Sequence, residues 1–289
     1  MPQSQSYDDR HFTSLDGQRL HYRDYRGPHE KPPILCLPGL TRNARDFEPV
    51  ADRFAGDWRV LVCEFRGRGL SEPDLTPSRY KPATYGADLL KMLDQLGIAD
   101  AVFIGTSLGG LVTMVMAKED PDRIAGALLN DIGPAIDPEG IARIGGHVGK
   151  PVNFDSFDQA VDAIAARNAD IYPDYGRPEW ERFTRRIMKP PAFVELDYDM
   201  RIADTFEQPG ETPPVEAWSY FNALEGRPVT VLRGELSDLL SAETAGKMAS
   251  SITDCELVTV PRVGHTPSFD EPESIAAVER LLARVEARP

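Results

Sequence analysis

Short, uninterrupted apolar runs alternate along the chain with longer stretches in which apolar residues recur every three or four positions. The runs cover residues 33–37, 59–65, 101–104, 124–129, 229–233 and 256–260. Continuous rather than alternating hydrophobicity predicts strands covered on both faces. Helical spacing predicts helices over 47–54, over 84–96 with a stripe of Leu89, Leu90, Leu93 and Leu96 ending at Gly97, and over 241–251 and 273–287. Near the N-terminus, His11–Thr13 and Arg19–Arg23 flank Asp16-Gly17, which predicts a hairpin over 11–25. Strands alternating with helices imply an α/β fold with a mostly parallel twisted sheet and helices on both faces.

The alternation breaks once. Residues 134–225 show helical patterns at 156–170, 178–188 and 214–224, separated by Pro, Gly and Asp, and no buried strand. The expected organisation is therefore a core of residues 1–133 and 226–289 interrupted by a helical insertion over 134–225. Trp180, Phe183, Tyr198, Trp218, Tyr220 and Phe221 of the insertion could line a pocket, although aromatics at helical spacing more commonly pack among themselves.

Ligands of such sheets bind beyond the carboxyl ends of the strands, so the residues at those ends carry the chemistry. The 101–104 run leads into Gly105-Thr106-Ser107-Leu108-Gly109-Gly110, with another apolar run after it. Gly-x-Ser-x-Gly between strand and helix is a nucleophile turn. The Ser stands at a sharp tip, and glycines two residues on either side let strand and helix approach. The first N–H groups of the helix then face any negative charge beside the Ser, and Leu108 supplies one of them. The 124–129 strand ends at Asp131, the 229–233 strand leads to Gly234-Glu235-Leu236-Ser237-Asp238, and the 256–260 strand leads to Gly264-His265. Of the five His, three fall in the first 30 residues and His147 falls in the insertion, leaving His265 as the base. The carboxylate that would orient it is Asp238 or Asp131, both at strand ends. Arg66 and Arg68 are read as ties to nearby carboxylates.

Charge and cysteine content narrow the partners. A net charge of −14 without a Lys/Arg cluster disfavours nucleic acid and anionic membranes. No apolar run approaches the ~20 residues of a membrane span. Three Cys, an odd number, do not form a disulfide framework, and the first residues lack the basic and apolar regions of a signal peptide. A cytoplasmic location is the expectation. No Cys/His cluster at ligand spacing calls for a metal, and no cofactor is expected; the partner is a small-molecule substrate.

These segments together resemble the α/β-hydrolase superfamily over nearly the whole chain. Leu37-Pro38-Gly39-Leu40 resembles the family's His-Gly oxyanion turn, with Pro38 in place of the His. Residues 64–71 resemble the D-x-R-G-x-G-x-S loop, with Glu64 in place of the Asp. The resemblance implies an α/β-hydrolase fold with an inserted helical cap. It implies Ser107, Asp238 and His265 as the triad, Asp238 being preferred because its segment matches the usual acid loop. Leu40 and Leu108 are then the oxyanion donors. The implied activity is hydrolysis of a small ester or lactone through an acyl-enzyme. The alternatives are a carbon–carbon bond hydrolase of aromatic ring-cleavage products, a cofactor-free haloperoxidase-like activity and a non-enzymatic ligand receptor. Leu40-Thr41-Arg42-Asn43 and His265-Thr266-Pro267 lack the Gly-rich loop and the aromatic residue expected of the carbon–carbon hydrolases.

Overall fold

In the computed structural model, which describes residues 6–204 and 214–288, eight strands form one sheet in the order β1-β2-β4-β3-β5-β6-β7-β8. The hairpin β1 (Tyr7–Thr13) and β2 (Arg19–Tyr25) pairs antiparallel, and β2 also runs antiparallel to β4 (Val60–Cys63). From β4 onward all pairings are parallel, through β3 (Ile34–Leu37), β5 (Ala101–Thr106), β6 (Ile124–Asn130), β7 (Val229–Gly234) and β8 (Cys255–Val260). Every residue of β3, β4, β5, β6 and β7 is buried, which explains their unbroken hydrophobicity.

Two apolar clusters cover the two faces. Leu35, Leu37, Phe103 and Leu129 belong to one cluster, which also holds residues of α2 (Pro82–Leu96), α3 (Leu108–Glu119) and a later helix, Ala242–Ser251. Ile34, Cys36, Val102 and Leu128 belong to the other, with residues of α1 (Glu48–Phe54) and of the C-terminal helix Pro272–Glu286. α2 stops at Gly97 in the left-handed region (φ 65°), whose N–H caps carbonyls of the last turn. Cys36 and Cys63 are fully buried, and burial pushes both thiols up.

Between β6 and β7 the described residues add no strand to the sheet. They form α4 (Pro138–Gly145), α5 (Phe157–Asn168), α6 (Arg177–Ile187) and α7 (Pro214–Asn222). The last three fall on the expected helical patterns. α4 does not, because its two glycines and single Ile141/Ile144 pair leave no stripe, although Asp137-Pro138-Glu139 is a helix-start signal. Part of the 134–225 insertion, residues 205–213, and the first five residues of the signal-peptide reading lie outside the described residues. α8 (Ala242–Ser251) and α9 (Pro272–Glu286) complete the order. Among the described residues no helix is long and apolar enough to cross a membrane.

Candidate active site

Ser107 stands between β5 and α3 with φ 50° and ψ −112°. A non-glycine residue held there costs on the order of 1–3 kcal/mol and persists only where the surroundings enforce it. They do so here through two glycines. A Cβ on Gly105 would come within 2.5 Å of the Gly109 carbonyl group, and one on Gly109 would come within 2.1 Å of the Leu37 carbonyl oxygen. Strand, turn and helix are thus pressed together at a spacing that only glycine allows at positions 105 and 109.

His265 follows β8 and faces this hydroxyl. Its Nε2 lies 3.0 Å from Ser107 Oγ, and its Nδ1 lies 2.7 Å from Asp131 Oδ2. The His loop is held from the insertion side: the Gly264 N–H donates to the Ile171 carbonyl at 2.8 Å, and the Tyr172 hydroxyl donates to the Thr266 carbonyl at 2.7 Å.

The expected carboxylate, Asp238, does not reach His265. Asp131 does, and the reason is local. Asp131 directly follows β6, which is flanked by β5 and β7, and adopts φ 54°. It is fully buried; its Oδ1 accepts the Gly234 N–H at 2.9 Å and its Oδ2 accepts the Ser237 hydroxyl at 2.6 Å as well as facing His265. Ser237, the residue before Asp238, therefore serves as support for Asp131. Asp238 turns instead to Arg143 of α4: Arg143 Nε donates to one carboxylate oxygen and Nη2 donates to the other at 2.8 Å. The Arg143 hydrogen bond is the largest influence on Asp238, and it holds that carboxyl below its ordinary range despite partial burial. The signal that could have found Asp131 is its position directly after the strand next to the Ser107 strand.

Of the expected oxyanion donors, one directly follows Ser107 in the chain and the other borders the same cavity. Leu108 opens α3, and Leu40 lines the cavity beside Ser107. Among the described residues neither backbone N–H has a protein acceptor. Arg68 departs from its expected role as a carboxylate tie. Its Nε donates to the Leu40 carbonyl at 2.8 Å and its Nη1 to the Tyr85 hydroxyl at 2.8 Å, so it fixes the Leu40–Thr41 peptide, one unit on from the Leu40 N–H. Arg66 does pair with carboxylates, those of Asp16, Asp74 and Asp88.

The cavity above Ser107 measures about 180 Å³. Its floor is Gly39–Arg42, Thr106, Ser107 and His265–Phe269; its other wall comes from the insertion, with Arg143, Ile171, Tyr172, Phe183 and Arg186. Of the aromatics singled out in the insertion, Phe183 lines the cavity. Trp180 packs against Tyr172, Tyr175 and Phe183, and Phe221 is buried in the core. Tyr172 and the arginines were not anticipated: Tyr172 lies in the turn between α5 and α6, Arg143 on an unpredicted helix, and Arg186 is a charged residue outside the apolar pattern that marks α6.

Comparison with known proteins matches residues 34–278 to the model of the alpha/beta hydrolase family. A 3-hydroxybutyrate-oligomer hydrolase from Cupriavidus necator is 35% identical, over 91% of this chain and 92% of that protein. A 2-(acetamidomethylene)succinate hydrolase from Mesorhizobium japonicum is 25% identical, over 84% of each chain. The crystal structure of an alpha/beta hydrolase from Novosphingobium aromaticivorans is 54% identical, with a TM-score of 0.92 over 96% of this chain and 98% of that one.

Proposed function

This chain is a hydrolase of the α/β-hydrolase family, and from that premise we propose that it is a serine hydrolase cleaving a small ester or lactone through an acyl-enzyme, with Ser107, His265 and Asp131 as its triad. The observation that carries the proposal is His265 held between Asp131 at 2.7 Å and Ser107 at 3.0 Å. Nδ1–H donates to the buried Asp131 carboxylate, which leaves Nε2 free to take the Ser107 proton. The Ser107 oxygen then attacks the ester carbonyl, and the N–H groups of Leu40 and Leu108 receive the developing oxyanion. The imidazolium gives its proton to the leaving alcohol as the carbon–oxygen bond breaks. Water repeats the cycle: it loses its proton to His265, attacks the acyl carbon and releases the acid and a restored Ser107.

The 134–225 insertion acts in this scheme as a cap that shapes the acyl and alcohol pockets. It supplies one wall of the cavity and two ties to the His265 loop. Among possible substrates, esters of short hydroxy acids have the support of the similar oligomer hydrolase, whose named substrate is built from 3-hydroxybutyrate.

The test is turnover of p-nitrophenyl butyrate and of the 3-hydroxybutyrate dimer by wild type and Ser107→Ala. Turnover by wild type, abolished in the variant, and labelling of Ser107 by a fluorophosphonate are the expected results. Turnover that survives in Ser107→Ala, or a wild type that is neither active nor labelled, overturns the proposal.

A further inference from the structure

Asp238 has been released from the histidine, and its actual partner borders the reacting atoms. Arg143 lines the same cavity as Ser107 and His265. Its pairing with Asp238 uses Nε and Nη2, one edge of the guanidinium, in a fork that fixes the plane of the group. Nη1 and its two N–H groups have no protein acceptor among the described residues. The side chain is 31% exposed.

The other charges of the cavity single out this residue. Arg42 is neutralised inside the cavity by Asp46, through two bonds of 2.6 Å, and lies over the Phe183 ring. The Arg186 side chain is only 10% exposed and is paired with Asp270. Arg143 lines the cavity and its counter-ion Asp238 does not, so the Arg143 carboxylate partner is not among the groups that border the cavity. A cavity lined, among the described residues, by three arginines and one carboxylate, Asp46, in a chain of net charge −14 is a local feature and not a consequence of composition.

We propose that Arg143 recognises a carboxylate of the substrate: the site takes a short ester that carries a free carboxylate, docked on the open edge of Arg143 while the ester carbonyl stands at Ser107. This rests on the serine hydrolase assignment made above. Asp238 is a positioning residue that acts through Arg143. A charge-assisted hydrogen bond of this kind is worth about 10- to 100-fold in kcat/KM.

The experiment compares the 3-hydroxybutyrate dimer with its terminal carboxamide, a neutral analogue of the same shape, and reads the ratio of kcat/KM values. Wild type favours the acid by about 10- to 100-fold. Arg143→Gln lowers that ratio at least tenfold, mainly through KM. Arg143→Lys restores part of it, and Asp238→Asn lowers it in the same sense. Arg177→Gln, at an exposed arginine that does not line the cavity, moves the ratio less than about twofold. Should Arg143→Gln fail to fold, the wild-type ratio is followed from about 0.05 to about 0.5 M salt, where a carboxylate contact predicts a fall. Equal turnover of acid and carboxamide, equal losses on both in folded Arg143→Gln, or a ratio indifferent to salt overturns the carboxylate proposal and leaves the hydrolase assignment standing. A wild type that cleaves p-nitrophenyl butyrate but neither dimer compound overturns the carboxylate proposal alone, whereas dimer turnover that survives Ser107→Ala, or a wild type that cleaves none of the three and is not labelled, overturns both.

Discussion

Asp131 Oδ2 lies 2.7 Å from His265 Nδ1, and the same carboxylate is held by the Gly234 N–H and the Ser237 hydroxyl. Three donors converge on a fully buried group, so its position is set before any substrate arrives. Asp131→Asn keeps the shape but presents the wrong hydrogen-bonding face to the imidazole. It should lower kcat by about 10⁴ with little change in KM. Asp238→Asn should cost less than about tenfold in kcat on a neutral ester. Steady-state kinetics on p-nitrophenyl butyrate separates the two, and a larger kcat loss in Asp238→Asn would return that residue to the triad.

The tight turn that presents Ser107 gives a second prediction. The Cβ of Gly109→Ala would meet the Leu37 backbone at 2.1 Å, and backbone cannot swing aside as a side chain does. Overpacking costs about 1–3 kcal/mol in cores that can relax, and this contact lies at or beyond the upper end. Gly109→Ala should lose at least about 3 kcal/mol in urea unfolding and lose esterase activity with it. By contrast, a Cβ on Gly246 meets nothing within 4 Å, so Gly246→Ala in α8 should be neutral or stabilising.

The fold was legible because each central strand is covered on both faces and each long helix shows one apolar stripe. The adjacency of Ser107 and His265 was legible for a related reason: both follow parallel strands, and parallel strands deliver their ends to one rim. The choice between Asp131 and Asp238 was not. Both residues end up near that rim, and what separates them is that the backbone just after β6, with Asp131 at φ 54°, turns its side chain toward His265. Local sequence pattern pointed to the segment containing Ser237 and Asp238, yet only Ser237 of that pair touches the Asp131–His265 system. Arg143 was invisible for a different reason, since α4 has too few apolar residues to announce itself and Arg143 acquires meaning only from a partner 95 residues away.

Glu64 gives a third prediction. Its Oε1 accepts the Ala44 N–H at 3.0 Å; its Oε2 accepts the Leu70 N–H at 2.7 Å and faces His21 Nδ1 at 2.9 Å. The side chain is buried, and so closely seated that a Cβ on Gly69 would strike its carboxylate. Burial opposes the charge, but the His21 bond and the two N–H donors outweigh it and hold the carboxyl below its ordinary value. A depressed native pKa means the unfolded chain binds the proton more readily. The contribution is complete above the unfolded value of about 4.3 and is lost as pH falls below it. Glu64→Gln should cost about 3 kcal/mol at pH 7, and its stability should fall less steeply than that of wild type on acidification below pH ~4.3. Urea titrations at pH 7 and at lower pH check both. Parallel pH profiles for the two proteins would show that Glu64 is not the group responsible.

The Arg143–Asp238 pair has its own signature, readable without any substrate. The Arg143 guanidinium holds the Asp238 carboxyl below the usual aspartate value, although the Asp238 side chain is 29% exposed. Its native pKa lies under the unfolded value of about 3.9, so the pair's contribution is present above that pH and is lost as pH falls through the native value. In a carboxyl-carbon NMR titration the Asp238 resonance should therefore have its midpoint below about 3.9. Arg143→Gln should move the midpoint upward, because the largest influence on it has been removed while partial burial remains. Arg143→Lys should give an intermediate value, a point charge replacing a two-bond fork. A wild-type midpoint at or above the ordinary value, unmoved by Arg143→Gln, would mean that the fork does not persist in solution and that Arg143 is not held in place for a substrate. A depressed midpoint would show the pair intact throughout the range in which a substrate carboxylate is ionised, which is the condition its recognition at this site requires.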